Sequence, residues 1–220
     1  MNEWLKPIWL FGAGGHARVI IDAIAAEGKQ RIAGALDDNI SLHGSHVDGV
    51  PIVDAITTET IRRLGIRRAI LAIGDNRRRA NVAQRLDGLV EWAHIIHPQA
   101  HVGAKVSFGE GTVIMAGAIV QTGTRLGKHV IINTGATVDH DSLVNDFAHI
   151  APGAHLAGNV VIGAGSLVGI GASVVNGTHV GSWGTLGAGA VAAGNIPDNV
   201  VAVGIPARWE RVPACLVYPC

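Results

Sequence analysis

Two short stretches of this 220-residue chain carry residues suited to chemistry. The first is Asp139-His140-Asp141, an imidazole between two carboxylates. A neutral imidazole titrates near physiological pH, so His140 is the candidate general base for a reacting amine or hydroxyl. A neighbouring carboxylate would orient the ring and stabilise the imidazolium. The second is Gly12-Ala13-Gly14-Gly15-His16, directly after the apolar run Ile8-Trp9-Leu10-Phe11. Glycines between a strand and a helix leave backbone N–H groups open at the helix N-terminus, where phosphate binds well. Gly14, Gly15 and His16 are therefore candidate phosphate contacts. Asp37 and Asp38 close a second apolar run, Ile32–Leu36, where a carboxylate can accept bonds from a hydroxyl or a base N–H. Gly74 follows a third run, Ala69–Ile73, and its bare backbone lets a ligand approach closely.

The elements that position these residues follow two different grammars. Residues 1–93 alternate strand-like and helix-like segments, with helices expected at 16–27, 58–64 and 77–86. Alternating β and α predicts a small parallel sheet with helices on its faces, and a ligand crevice at the C-terminal ends of its strands. Gly12-x-Gly14-x-x-Ala17, with Asp37 about 20 residues beyond, fits the relaxed dinucleotide fingerprint. A dehydrogenase is nevertheless disfavoured, because an α/β unit ending near residue 93 is too short for two βαβαβ halves.

From Ile96 the chain repeats every six residues. Ile96, Val102, Phe108, Ile114, Val120, Leu126 and so on to Leu186 are sixteen aliphatic or Phe residues without a gap. Each hexad supplies one short strand and one turn, and three hexads close a triangular coil. The expected fold is a parallel β-helix of just over five coils over residues 94–198, followed by a tail at 199–220. His140 lies two places after interior Val138, so it points out of the prism, with Thr122 and Gly158 one coil below and above. Residues 96–191 hold only seven charged side chains. So apolar an exterior predicts burial against copies of the same chain, and a three-faced prism packs about a threefold axis.

Composition narrows the partners. Lys plus Arg and Asp plus Glu are 17 each, so nothing draws the chain to nucleic acid. No apolar run reads as a membrane span or signal peptide. The two cysteines, Cys215 and Cys220, form no disulfide framework and fit a cytoplasmic setting; an acyl-cysteine intermediate is disfavoured. No three histidines form an obvious metal cluster, so no metal is expected.

The hexads resemble those of the left-handed β-helix acyltransferases. Together with Gly12–His16, Asp37-Asp38, Ile73–Asn76, Asn133-Thr134, Val138–Asp141, Phe147–His149, Leu156–Asn159 and Val203–Arg208, they make residues 7–210 similar to the bacterial nucleotide-sugar acetyltransferases of the PglD/NeuD group. The resemblance implies acetyl-CoA as donor, a nucleotide-linked amino sugar as acceptor, and active sites between subunits of a homotrimer. It puts an acid directly after the catalytic histidine, which favours Asp141 over Asp139. It assigns His149 to the acetyl end of the donor, and Gly158, Ile170 and Ala188 to the coenzyme A groove. Gly14, Gly15, His16, Asp37, Asp38 and Gly74 fall to the sugar nucleotide. O-acetylation of a sugar or sialic acid, and a non-catalytic nucleotide-binding trimer, are the alternatives.

Overall fold

The computed structural model describes residues 6–210. The chain divides into two compact units, residues 1–98 and 99–220.

The first unit is a parallel sheet flanked by helices. Its elements are β1 (Lys6–Phe11), α1 (Gly15–Glu27), β2 (Gln30–Leu36), β3 (His46–Val47), β4 (Val50–Asp54), α2 (Thr58–Arg63), β5 (Arg68–Leu71), α3 (Asn76–Arg85) and β6 (Glu91–Trp92). The sheet order is β3-β4-β2-β1-β5-β6, with β3 antiparallel to β4 and the remaining neighbours parallel. Ile8, Leu10 and Phe11 of β1 are fully buried, as are Ala17 and Ile20 of α1. Burial on both faces of the central strand explains why β1 reads as a continuous apolar run rather than an alternating one. The hairpin β3–β4 falls in a stretch without a readable motif. Pro51 is tolerated because its strand pairs antiparallel only with short β3 on the outer side.

The second unit is a left-handed parallel β-helix. Two-residue strands pair with those 18 residues on, as Ile119↔Thr137 and Val120↔Val138, then Thr137↔His155 and Val138↔Leu156. The sixfold sequence period thus becomes three parallel sheets. One carries 101–102, 119–120, 137–138, 155–156, 173–174 and 191–192; the second runs from 107–108 to 179–180; the third from 113–114 through 185–186 to Val201–Val203 and antiparallel Arg208–Glu210. From Ile114 to Leu186 every sixth residue is buried, none more than 5% exposed. Val102 and Phe108, in the first coil, are only half-buried. A first coil has a neighbouring coil of its own unit on one side alone. Among the described residues no helix is long and apolar enough to cross a membrane.

Candidate functional site

His140 sits on the turn after the 137–138 strand and is exposed. The turn is formed by Asp141, whose φ of +57° is the left-handed conformation that short polar residues tolerate. That backbone turns the carboxylate toward the ring: Asp141 Oδ2 lies 2.9 Å from His140 Nδ1. A carboxylate only accepts, so Nδ1 carries the proton and donates, leaving a lone pair on Nε2 of the neutral ring. Asp139 does something different. Its Oδ1 accepts the backbone N–H of His140 at 2.8 Å, fixing the turn rather than the ring. The hydrogen bond to Asp141, and then the charges of Asp139 and Asp141, hold the His140 pKa above its ordinary value despite partial desolvation.

The ring is seated by a glycine. A Cβ on buried Gly158, one coil above, would lie 2.6 Å from His140 Nε2 and 2.7 Å from Cε1. A side chain there would displace the ring.

His149 is half-buried on another face, where Asn133 Nδ2 lies 3.0 Å from its Nε2. Asn133 Oδ1 accepts the Thr134 N–H at 2.8 Å, so the amide nitrogen is the end that faces His149. An amide N–H on Nε2 requires a neutral imidazole with its proton on Nδ1. Ile170 and Ala188 stand one coil apart, each just before a corner glycine at positive φ, Gly171 and Gly189. An added Cβ at either glycine would meet nothing within 4 Å. With Ile170 63% exposed, this corner is a strip of bare backbone and apolar side chain. Such a strip fits an extended pantetheine arm, whose amides need backbone partners and whose methylenes need apolar cover.

The other predicted residues meet in the first unit. Phe11, Leu36 and Leu71 end β1, β2 and β5 side by side, and the chain beyond each enters one cleft. One part of it, about 360 Å³, is lined by Gly14, Gly15, His16, Asp37, Gly74 and Arg78, among others. A second, about 220 Å³, adjoins it through Gly12, Asp37, Ile73 and Arg78 and adds Asp38, Asn81 and Arg85. Gly12 (φ +110°) must be glycine: a Cβ would strike Ala72 O and Ile73 Cγ1 at 2.8 Å. Gly14 caps α1 without any side-chain bond, and no acidic residue stands in the first turn. The helix therefore presents its N–H groups and positive dipole end to an anion.

Asp37 is buried and ties the cleft together. Its Oδ2 accepts the Ala13 N–H at 2.7 Å and its Oδ1 the Asn39 N–H at 2.8 Å. Asp38 Oδ1 accepts the Ile56 N–H, and its Oδ2 pairs with Arg85 at 3.1 Å. His16 lies opposite Gly74. Burial, and then the Arg79 guanidinium, lower its pKa to about 4, so the ring is neutral near physiological pH. Arg79 itself is buried and donates to the carbonyls of Ile73 and Gly74, shaping that loop.

Arg78, Asn81 and Arg85 are the residues that sequence reading missed. They occupy one face of α3, and the one available signal was the i, i+3, i+7 spacing of polar side chains after the Gly74 turn. Cys215 and Cys220 lie outside the described residues. Among the described residues no group of three His, Cys, Asp or Glu could hold a metal ion.

Known proteins match both units of the chain. The family model for the PglD N-terminal domain matches residues 7–86. Perosamine N-acetyltransferase from Caulobacter crescentus, solved as a histidine-to-asparagine mutant with CoA and GDP-perosamine, is 35% identical. The match covers 93% of this chain and 97% of that one at a TM-score of 0.87. The acetyltransferase domain of PglB from Neisseria gonorrhoeae, with acetyl coenzyme A, is 38% identical over 94% of this chain and 100% of that one, TM-score 0.86. UDP-N-acetylbacillosamine N-acetyltransferase from Bacillus subtilis is 40% identical over 113 residues, 51% of this chain and about half (52%) of the relative.

Proposed function

Because the chain belongs to the PglD/NeuD group of bacterial nucleotide-sugar acetyltransferases, we propose that it moves the acetyl group of acetyl-CoA onto the amine of a nucleotide-linked amino sugar. The acceptor is a 4-amino-deoxy sugar destined for surface glycan, and the setting is the cytoplasm. The observation that carries the proposal is the His140–Asp141 pair at 2.9 Å with its ring seated on Gly158.

Bound acetyl-CoA supplies an activated acyl carbon. His140 supplies the base: with Nδ1–H held by Asp141, Nε2 takes the amine proton as nitrogen attacks, and the imidazolium then protonates the departing thiolate. His149 stands at the acetyl end of the donor. Gly158, Ile170 and Ala188 hold the rest of the donor. In the first unit, Gly14 and Gly15 place N–H groups on the diphosphate. Neutral His16, Gly74, Asp37 and Asp38 complete the nucleotide-sugar site, and Arg78 adds the cation that a diphosphate needs. An exposed base works poorly in bulk water, and residues 96–191 carry only seven charged side chains. Both support a homotrimer in which a neighbouring copy covers His140.

The test is thiol release from acetyl-CoA against a panel of UDP-, dTDP- and GDP-linked amino sugars. One member should give release together with an acetylated product; silence across the panel overturns the proposal. Sedimentation at micromolar concentration should show a trimer, and a stable monomer would remove that part.

Two variants sharpen the assignments. Asp141 raises the His140 pKa, and the base is active only above that pKa. Asp141→Asn should therefore move the acidic limb of the kcat/KM profile to lower pH and lower the plateau. A limb that stays in place would separate Asp141 from the base. Arg78→Ala should raise KM for the nucleotide sugar by about 10-fold or more, the usual loss for a charge-assisted bond, with kcat nearly kept. Unchanged KM in steady-state assays would take Arg78 out of the site.

A further inference from the structure

His140, Gly158 and Asn176 follow one another at the 18-residue repeat and so form one column of the β-helix. The position of a Cβ on Gly158 would be 2.6 Å from His140 Nε2 and also 3.2 Å from Asn176 Oδ1. One point thus lies within hydrogen-bond distance of both atoms. The two polar atoms are therefore close enough for a single bridging atom to reach both. His140 and Asn176 are both exposed. Nε2 is the lone-pair nitrogen of the ring, because Nδ1–H is committed to Asp141. Asn176 Oδ1 is a neutral acceptor. Two acceptors converging on one point call for a group that brings two hydrogens.

The same asparagine borders a groove of about 530 Å³ that reaches this corner through Asp139. Thr137, His155 and Ser173 lie along it at successive coils, and Thr137 Oγ1 is 2.9 Å from His155 Nδ1. Hydroxyl and imidazole side chains in a groove of this size suit the ring hydroxyls of a hexose.

We infer that Asn176 selects an amine over a hydroxyl as acceptor, with the sugar ring lying in the Thr137–His155–Ser173 groove; this rests on the acetyl-transfer reading above. A free amine has two N–H bonds and one lone pair. One N–H points to Nε2 and the other to Asn176 Oδ1, which leaves the lone pair aimed at the acyl carbon. As the C–N bond forms and the thioester C–S bond breaks, Nε2 takes the first proton and passes it to the thiolate. The second N–H stays on Oδ1 as the N–H of the product amide. A hydroxyl has one O–H. Placed on Nε2, it leaves Oδ1 desolvated with no donor, which penalises it.

The experiment compares the wild-type enzyme with Asn176→Ala and Asn176→Asp. It measures kcat/KM for the accepted nucleotide amino sugar, and the inhibition constant of the same nucleotide sugar bearing hydroxyl in place of amine. Asn176→Ala should lower kcat/KM for the amine by about 10-fold, the loss expected when a substrate N–H loses its acceptor in the bound complex. The hydroxyl compound should inhibit as well as before, and the pH at which His140 gains its proton should not move. Asn176→Asp keeps an acceptor and should restore most of the amine rate. Unchanged kcat/KM in Asn176→Ala overturns the inference. So does an equal loss on both compounds, which marks a structural role. A wild-type enzyme that acetylates no amino sugar fails at the first reading instead, and takes this one with it.

Discussion

His140→Ala should lower kcat by about 10²- to 10⁴-fold, the range for loss of a positioned general base. The fold has no stake in this ring. His140 is exposed, and its part in the coil-to-coil ladder is the backbone carbonyl that accepts the Asn159 N–H at 2.9 Å. That bond survives truncation to alanine. The variant should therefore keep its melting temperature and its affinity for acetyl-CoA and nucleotide sugar, and lose the chemical step. Single-turnover kinetics on the folded variant measure this directly. Near-normal turnover would remove His140 from the reaction and leave the second unit without an assigned base.

Gly158→Val should come close to the same loss through geometry alone. Its Cβ would fall 2.6 Å from His140 Nε2, well inside contact distance, so the imidazole has to leave its seat. Moving the ring away from the added side chain disturbs its 2.9 Å bond to Asp141. Displacing a reacting group by an ångström costs on the order of 10² in rate. Gly158 N–H and C=O remain able to pair, since a side chain removes no backbone donor or acceptor. The double variant Gly158→Val/His140→Ala should be no slower than His140→Ala alone, because two changes that act through one ring are not additive. Losses that multiply in the double variant would mean that Gly158 acts on something other than His140.

Much of the architecture follows from spacing. Aliphatic residues at every sixth position from Ile96 to Leu186 admit one solution, three short strands per coil, because only that period puts all of them inside. The outward register of His140 follows from Val138 by counting. The crevice of the first unit is equally legible, since Gly12, Asp37 and Gly74 stand where strands end. Short-range pattern decides all of these.

What spacing left open is which side chains meet. Asp139 and Asp141 are equivalent neighbours of His140 in the sequence, and the left-handed turn at Asp141 separates their tasks: one holds the backbone and the other the ring. Asp37 stands at the end of a strand like any ligand-binding carboxylate, yet it also ties the glycine turn to the Asn39 loop. Arg78, Asn81 and Arg85 carry no motif, because a helix face is aimed by the packing of α3 and not by its local sequence. Asn176 is 36 residues from His140 in the chain and two coils away in space. The six-residue period alone determined that the two share a column. That their polar atoms converge over Gly158 was decided by side-chain directions at a turn, which depend on backbone angles that the period does not specify.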